Sequence, residues 1–149
     1  MILIRNTQRK FKIDTELLHK DIQTILSALD YSDFDIGVLI TTNATIRKYN
    51  NEFRKKDVPT DILSFPFHTS LKAGARIKAK EDWEKNLGDL ILSPEYIHKA
   101  AAELDERFED RVKMLIVHGI CHLLGYDHID DSDYKKMHKK ETELLRLIQ

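Results

Sequence analysis

Between His118 and His128 the chain reads HGICHLLGYDH, with three imidazoles in eleven positions at offsets zero, four and ten. Imidazole is the commonest metal ligand among side chains, binding through a neutral ring nitrogen. Residues four apart on a helix lie one turn above each other, so His118 and His122 point the same way. Gly125 follows three residues after His122, where a helix stops by a left-handed turn that glycine adopts without strain. The chain can then fold back and bring His128 to the same point. Two imidazoles from one helical turn and a third beyond a bend make three corners of a tetrahedron. A fourth position kept for water is the pattern of catalytic zinc. His19, His68, His98 and His138 have no matching spacing and are read as surface or core residues.

The pattern His-x3-His-x2-Gly-x2-His is shared with the zinc run of metzincin proteases, where the residue after the first histidine is a glutamate acting as general base. Here that residue is Gly119. Glycine has no proton acceptor, so peptide hydrolysis of that type lacks its base. The same glycine is expected to leave space beside the metal for a bulky phosphodiester. Cys121 could offer a thiolate, but a free cysteine is commonly a small buried hydrophobe, and packing is the favoured reading. Asp127 could orient a ligand imidazole from behind or could be an ordinary turn aspartate; the spacing leaves both open.

To gather these groups, the chain needs a helix through His122 and a scaffold that buries the helix's other sides. From Pro94 to Leu124 the pattern is helical throughout, and 31 residues exceed an ordinary globular helix. A break is predicted near Asp105 to Phe108. In the second half Val112, Leu115, Ile116, Ile120 and Leu123 line one face, and Val117 and Leu124 widen it; a helix apolar on most sides is a central one. Upstream, Ile2 to Ile4 reads as a first strand. Thr15 to Leu29 reads as a helix capped by Asp14 or Thr15, with Leu18, Ile22, Ile25, Leu26 and Leu29 as its buried stripe. Phe34 to Thr41 is strand-like, and Thr42 or Asn43 caps a short helix carrying Ile46, Tyr49, Asn50 and Phe53.

Val58-Pro59-Thr60-Asp61 is a turn, and Ile62 to Phe67 a strand whose Pro66 belongs at an edge or an end. His68 to Asn86 shows no period and is expected to be a partly mobile loop. Leu87 to Ser93 resumes as a strand, and Ser93-Pro94-Glu95 is a cap followed by proline at the first helical position. Asp131 or Ser132 opens a last helix with Tyr134, Met137, Glu141, Leu144, Leu145 and Ile148 at helical spacing. The order β-α-β-α-β-β-α-α-α describes a mixed α/β or α+β fold. No repeat, linker or low-complexity tract divides residues 1–149, so a single domain is expected.

Composition narrows the classes further. No stretch approaches the roughly 20 apolar residues of a membrane span, and the N-terminus MILIRNTQRK lacks the apolar core of a signal peptide. A lone cysteine, Cys121, excludes an internal disulfide framework and suits a reducing compartment, so a cytoplasmic protein is expected. Net charge is −1, but Arg47 to Lys80 carries nine basic against three acidic residues, a net of +6 that leaves −7 elsewhere. Such asymmetry could form a surface for a polyanion, and equally a solvated lysine-rich loop.

Taken with NNEFRKKDVPTDILSFPF (residues 50 to 67) and LGDLILS (87 to 93), the histidine run resembles the signature of the YbeY endoribonucleases, over most of the chain. Met137 and Glu141 also fall where that family's last helix is expected. The resemblance implies an α+β fold: a small mixed four-stranded sheet packed with about five helices, the metal-binding helix central. It implies one Zn2+ per chain on His118, His122 and His128, with Arg54 as the functional arginine and Lys55 and Lys56 beside it on the substrate. Arg54 and His118 would be the catalytic pair. The substrate would be single-stranded or ribosomal RNA, cut during ribosomal-RNA maturation at the small-subunit 3′ end and in ribosome quality control, with the ribosome or its associated factors as partners. Arginine can pair bidentately with phosphate, and a basic run attracts the backbone without regard to sequence. Two other readings stay open: a metzincin-like zinc hydrolase of peptides or small molecules, and a non-catalytic ribosome-maturation factor whose zinc is structural. One departure is visible, Cys121 standing where leucine is common in the family.

Overall fold

In the computed structural model, which describes residues 1–149, four strands form one sheet in the order β1-β2-β4-β3. Strand β1 (Ile2–Asn6) pairs in parallel with β2 (Asp35–Ile40), and β2 in parallel with β4 (Asn86–Leu92). Strand β3 (Ile62–Pro66) closes the edge antiparallel to β4. Pro66, lacking a ladder donor, is both the last residue of its strand and on an edge, the two places where proline does no harm. The fold is the expected α+β arrangement of a mixed four-stranded sheet with five helices.

The first parallel pair is joined through α1 (Thr15–Ala28), whose first turn is closed by the Asp14 carboxylate accepting from the Leu17 N–H at 3.0 Å. Helix α2 (Asn43–Arg54) starts in the same way on the Thr42 hydroxyl. Helix α3 (Pro94–Glu103) starts with proline in its first turn. The predicted break separates α3 from α4 (Phe108–Leu123), with Asp105 in the left-handed region at φ 54°. The last helix, α5 (Asp131–Arg146), opens at Asp131 as expected and is capped by Asp130, whose carboxylate accepts from the Asp133 N–H at 2.8 Å.

The two faces of the sheet are covered unequally. On one, Ile36, Val38, Ile40, Leu90 and Leu92 join the main core with α1, α3, α4 and α5. On the other, α2 alone packs, with Ile46 meeting Leu63 and Ile91. Helix α4 is the central one: Leu115, Ile116, Val117, Gly119, Ile120, Cys121 and Leu123 are all buried, and it touches β3, β4, α3 and α5. Burying a residue such as Ile120, fully enclosed here, contributes about 1.5–3 kcal/mol.

The segment between β3 and β4 departs from the expected loose loop. A short 3-10 turn, Asp82–Glu84, ends it, and its middle is fastened to the end of α1. The Arg76 guanidinium donates to the carbonyls of Leu29 and Asp30 and lies 4.3 Å from the Tyr31 ring centre. The Ile77 N–H donates to the Tyr31 hydroxyl at 3.1 Å, and Ile77 itself is buried. A single apolar anchor without periodicity leaves no pattern in a sequence, which is why this segment reads as unstructured.

Candidate metal centre

Helix α4 ends in a Schellman motif that creates the third position of the site. The Tyr126 N–H donates to the Cys121 carbonyl at 3.0 Å and the Gly125 N–H to the His122 carbonyl at 3.1 Å, the paired bonds of that cap. Gly125 has φ +88°, and a β-carbon on it would run into the Leu71 carbonyl. Glycine is thus needed twice here, for the left-handed turn and for the close approach of the Leu71–Lys72 backbone. Beyond the turn, the Asp127 carboxylate accepts from the His128 backbone N–H at 2.8 Å. Asp127 therefore shapes the turn and makes no hydrogen bond to an imidazole.

The three rings converge. Ligand atoms of His118, His122 and His128 all lie within 4.8 Å of one another, His118 and His122 half-buried and His128 exposed at the rim. Hydrogen-bond chemistry fixes which nitrogen donates in two of them. Nδ1 of His118 lies 2.8 Å from Oε2 of Glu141, and a carboxylate only accepts, so Nδ1–H donates. Nδ1 of His122 lies 3.0 Å from the Tyr126 carbonyl, which likewise only accepts. In the neutral, ligand form both rings then turn bare Nε2 lone pairs towards each other across 3.1 Å. Two lone pairs at that distance repel unless a cation lies between them. A tetrahedral metal with Zn–N bonds of about 2.0–2.1 Å sets two nitrogens roughly 3.3 Å apart, so the donor set fits a metal ion. Burial, and then the neighbouring His118 and His128, hold the His122 pKa below the ordinary histidine value, which favours the neutral ligand form.

The triad forms one end of a cleft of about 830 Å³. The end of α2 and β3 line it as well, with Phe53, Arg54, Asp61, Ser64 and Phe65 among the lining residues. Helix α2 stops at Arg54 because Lys55 takes the left-handed conformation at φ 59°. The Asn50 amide donates to the Val58 carbonyl at 2.9 Å and so turns the chain back into β3. The two sequence blocks, residues 50 to 67 and 118 to 128, thus line one space, with Arg54 exposed in it. Lys55 and Lys56 are exposed beyond the helix end and do not line the cleft.

The basic run is also more divided than its charge count implies. Arg47 is held by Asp57 through bonds of 2.8 and 3.2 Å, and Arg76 is spent on α1. Gly119 corrects another expectation. It is buried against the sheet, where a β-carbon would meet the side chains of Leu90 and Ile62. It lets α4 sit close on the sheet and opens no space beside the metal. Cys121 is fully buried with its thiol pushed up to about 12, chiefly by burial, in line with the packing role.

Two residues of the site escaped the sequence reading. His68 lines the cleft, its Nε2–H donating to the Glu84 carbonyl at 2.7 Å; nothing in its spacing marked it. Glu141 stands behind His118, and a signal existed: a carboxylate on the apolar stripe of α5, between buried Met137 and buried Leu144.

Comparison with known proteins agrees with this geometry. The family model described as endoribonuclease YbeY matches residues 3–149. A human protein named endoribonuclease YbeY is 37% identical over 144 residues, covering 97% of this chain and 86% of its own. A namesake from Aquifex aeolicus is 38% identical over 135 residues, covering 91% and 82%. Among solved structures, the solution structure of TM1509 from Thermotoga maritima superposes with a TM-score of 0.65 at 25% identity, over 99% of this chain and 89% of that one.

Proposed function

The chain belongs to the YbeY endoribonuclease family, and from that premise we propose that residues 1–149 form one zinc-dependent endoribonuclease domain that cuts single-stranded RNA during ribosomal-RNA maturation. The observation that carries the reading is that the two blocks line one cleft, which holds both the three convergent imidazoles and Arg54. Phosphodiester cleavage accumulates negative charge on the phosphoryl oxygens, and an enzyme accelerates it by placing fixed positive charge where that charge develops.

His118, His122 and His128 would hold the ion, and three histidines with a cleft in front are the donor set of catalytic rather than closed structural zinc. A zinc ion there would polarise a phosphoryl oxygen or bring the pKa of a water to about 7. The chain's own residues do the rest. Arg54 presents a planar donor fork that matches two phosphate oxygens, which a lysine cannot do. Lys55 and Lys56, outside the cleft, would steer the neighbouring backbone through screened attraction. His118 serves the reaction as a ligand. A peptidase is disfavoured, because the position after it has neither a carboxylate nor room for one.

A ribosomal substrate, and ribosomal or ribosome-associated partners, follow from the family resemblance. No helix is long and apolar enough to cross a membrane; a cytoplasmic location is proposed from the single free cysteine. The test is cleavage of a single-stranded RNA with and without chelator, beside Arg54→Ala. Chelator-sensitive cutting that Arg54→Ala depresses is the expected result. Chelator-sensitive peptide hydrolysis with RNA left intact would overturn the reading.

A further inference from the structure

We propose that Glu141 is a positioning residue for the metal centre: its carboxylate fixes the ring of His118 so that Nε2, and not Nδ1, is offered to the ion. The proposal deepens the metal-dependent reading above and rests on it. Only His118 of the three ligands has a side chain behind it. His122 is oriented by a backbone carbonyl four residues away, and the ring of His128 makes no hydrogen bond within the chain. Glu141 comes from another helix, 23 residues further on, and reaches Nδ1 of His118 at 2.8 Å.

The placement of that carboxylate is itself informative. Its side chain is only 20% exposed, it lies on the face of α5 that carries Met137 and Leu144 into the core, and His118 is its one hydrogen-bond partner. Bringing a carboxylate so far from water costs stability unless a charge or donor answers it. A neutral imidazole answers it with one N–H; an imidazole bound to a divalent cation answers it far better, because the metal's charge is passed to the ring. The carboxylate in turn raises the electron density at Nε2 and makes it a stronger donor. Glu141 therefore selects the tautomer, holds the ring plane and increases ligand basicity. It touches no substrate in this role.

Two measurements test this on the full chain. Zinc affinity is determined by competition with a chromophoric chelator, and ring-nitrogen shifts of the metal-free protein report which nitrogen of His118 carries the proton. The wild type should show the Nδ1–H form. Glu141→Gln keeps an acceptor oxygen without the charge, so it should keep that tautomer and bind zinc several-fold more weakly. Glu141→Ala should lose the tautomer preference and about 10- to 100-fold in affinity. The near-isosteric glutamine variant keeps the test valid if alanine disturbs the fold, which thermal unfolding in chelator reads directly. Wild-type affinity and unchanged ring shifts in both variants would overturn the role of Glu141 while leaving the metal site standing. A wild-type chain that takes up no metal would instead overturn the metal reading, and this proposal with it.

Discussion

Gly119 and Leu90 are in direct contact: a β-carbon on Gly119 would stand 2.8 Å from Leu90 Cδ2 and 2.9 Å from Ile62 Cδ1. Alanine there gains about 1 kcal/mol in helix propensity against roughly 1–3 kcal/mol of overpacking. A net loss of up to about 2 kcal/mol is expected by denaturant unfolding. Gly119→Glu must bury a carboxylate against two aliphatic side chains; it should unfold far more readily and gain no peptidase activity. A stable Gly119→Glu protein that hydrolyses peptides would contradict the packing role given to this residue.

Removing a ligand should remove the ion. Elemental analysis of the wild type is expected to find about one divalent metal per chain. His122→Ala, which deletes a half-buried donor 3.1 Å from its neighbour, should fall well below that. Full occupancy in this variant would mean that the ligand assignment is wrong.

Arg54 should matter to RNA and not to metal. A charge-assisted hydrogen bond contributes about 1.5–3 kcal/mol, so Arg54→Ala should lower kcat/KM for RNA by roughly 10- to 150-fold. Arg54→Lys should recover only part of this, since the fork is lost. Metal content should be unchanged in both. Equal activity of the wild type and Arg54→Ala would remove the phosphate contact.

Salt dependence separates the basic residues that face RNA from those that hold the fold. With Arg47 on Asp57 and Arg76 on the end of α1, fewer than the nine basic residues of the run can release counterions. Replacing Lys55 and Lys56 together by alanine should reduce the log-log salt slope for single-stranded RNA by no more than about 1.4, at roughly 0.7 per contact. A steeper change in a binding titration would show that these lysines organise more of the substrate path than the cleft's walls suggest.

Cys121 gives a signature at alkaline pH. Its thiol is pushed from 9.0 to about 12 by burial, so between those values the unfolded chain has lost a proton that the folded chain keeps. Stability from this group is complete below pH 9 and declines as pH rises towards 12, at up to about 1.4 kcal/mol per unit. Unfolding measured from pH 8.5 to 10.5 should fall less steeply for Cys121→Ala than for the wild type. In the folded protein the thiol should also resist alkylation.

What the sequence disclosed follows from how local each signal is. The histidine spacing, the Gly125 bend, the caps at Asp14 and Thr42 and the helix start at Ser93-Pro94 act within a few residues, and each reappears in the structure, except that the Ser93 hydroxyl caps nothing and donates instead to Asn43. Gly119 was readable as an absent base, but not as a contact with Leu90, because that depends on which strand lies beneath α4. Strand order was equally out of reach: β4 inserts between β2 and β3, and no local pattern states it. Glu141 gains its meaning only once α5 docks on α4.

That insertion of β4 has a consequence for the timing of activity during synthesis. Strand β3, which carries one wall of the cleft, pairs with no strand except β4. The Arg54 side of the site is therefore without its sheet support until residues 86 to 92 have left the ribosome. The three imidazoles come later still, and Glu141 last of all. A growing chain thus cannot assemble a cutting site from its early segments. The groups that line the cleft and the carboxylate behind His118 can therefore meet only after residues 86 to 141 have been made.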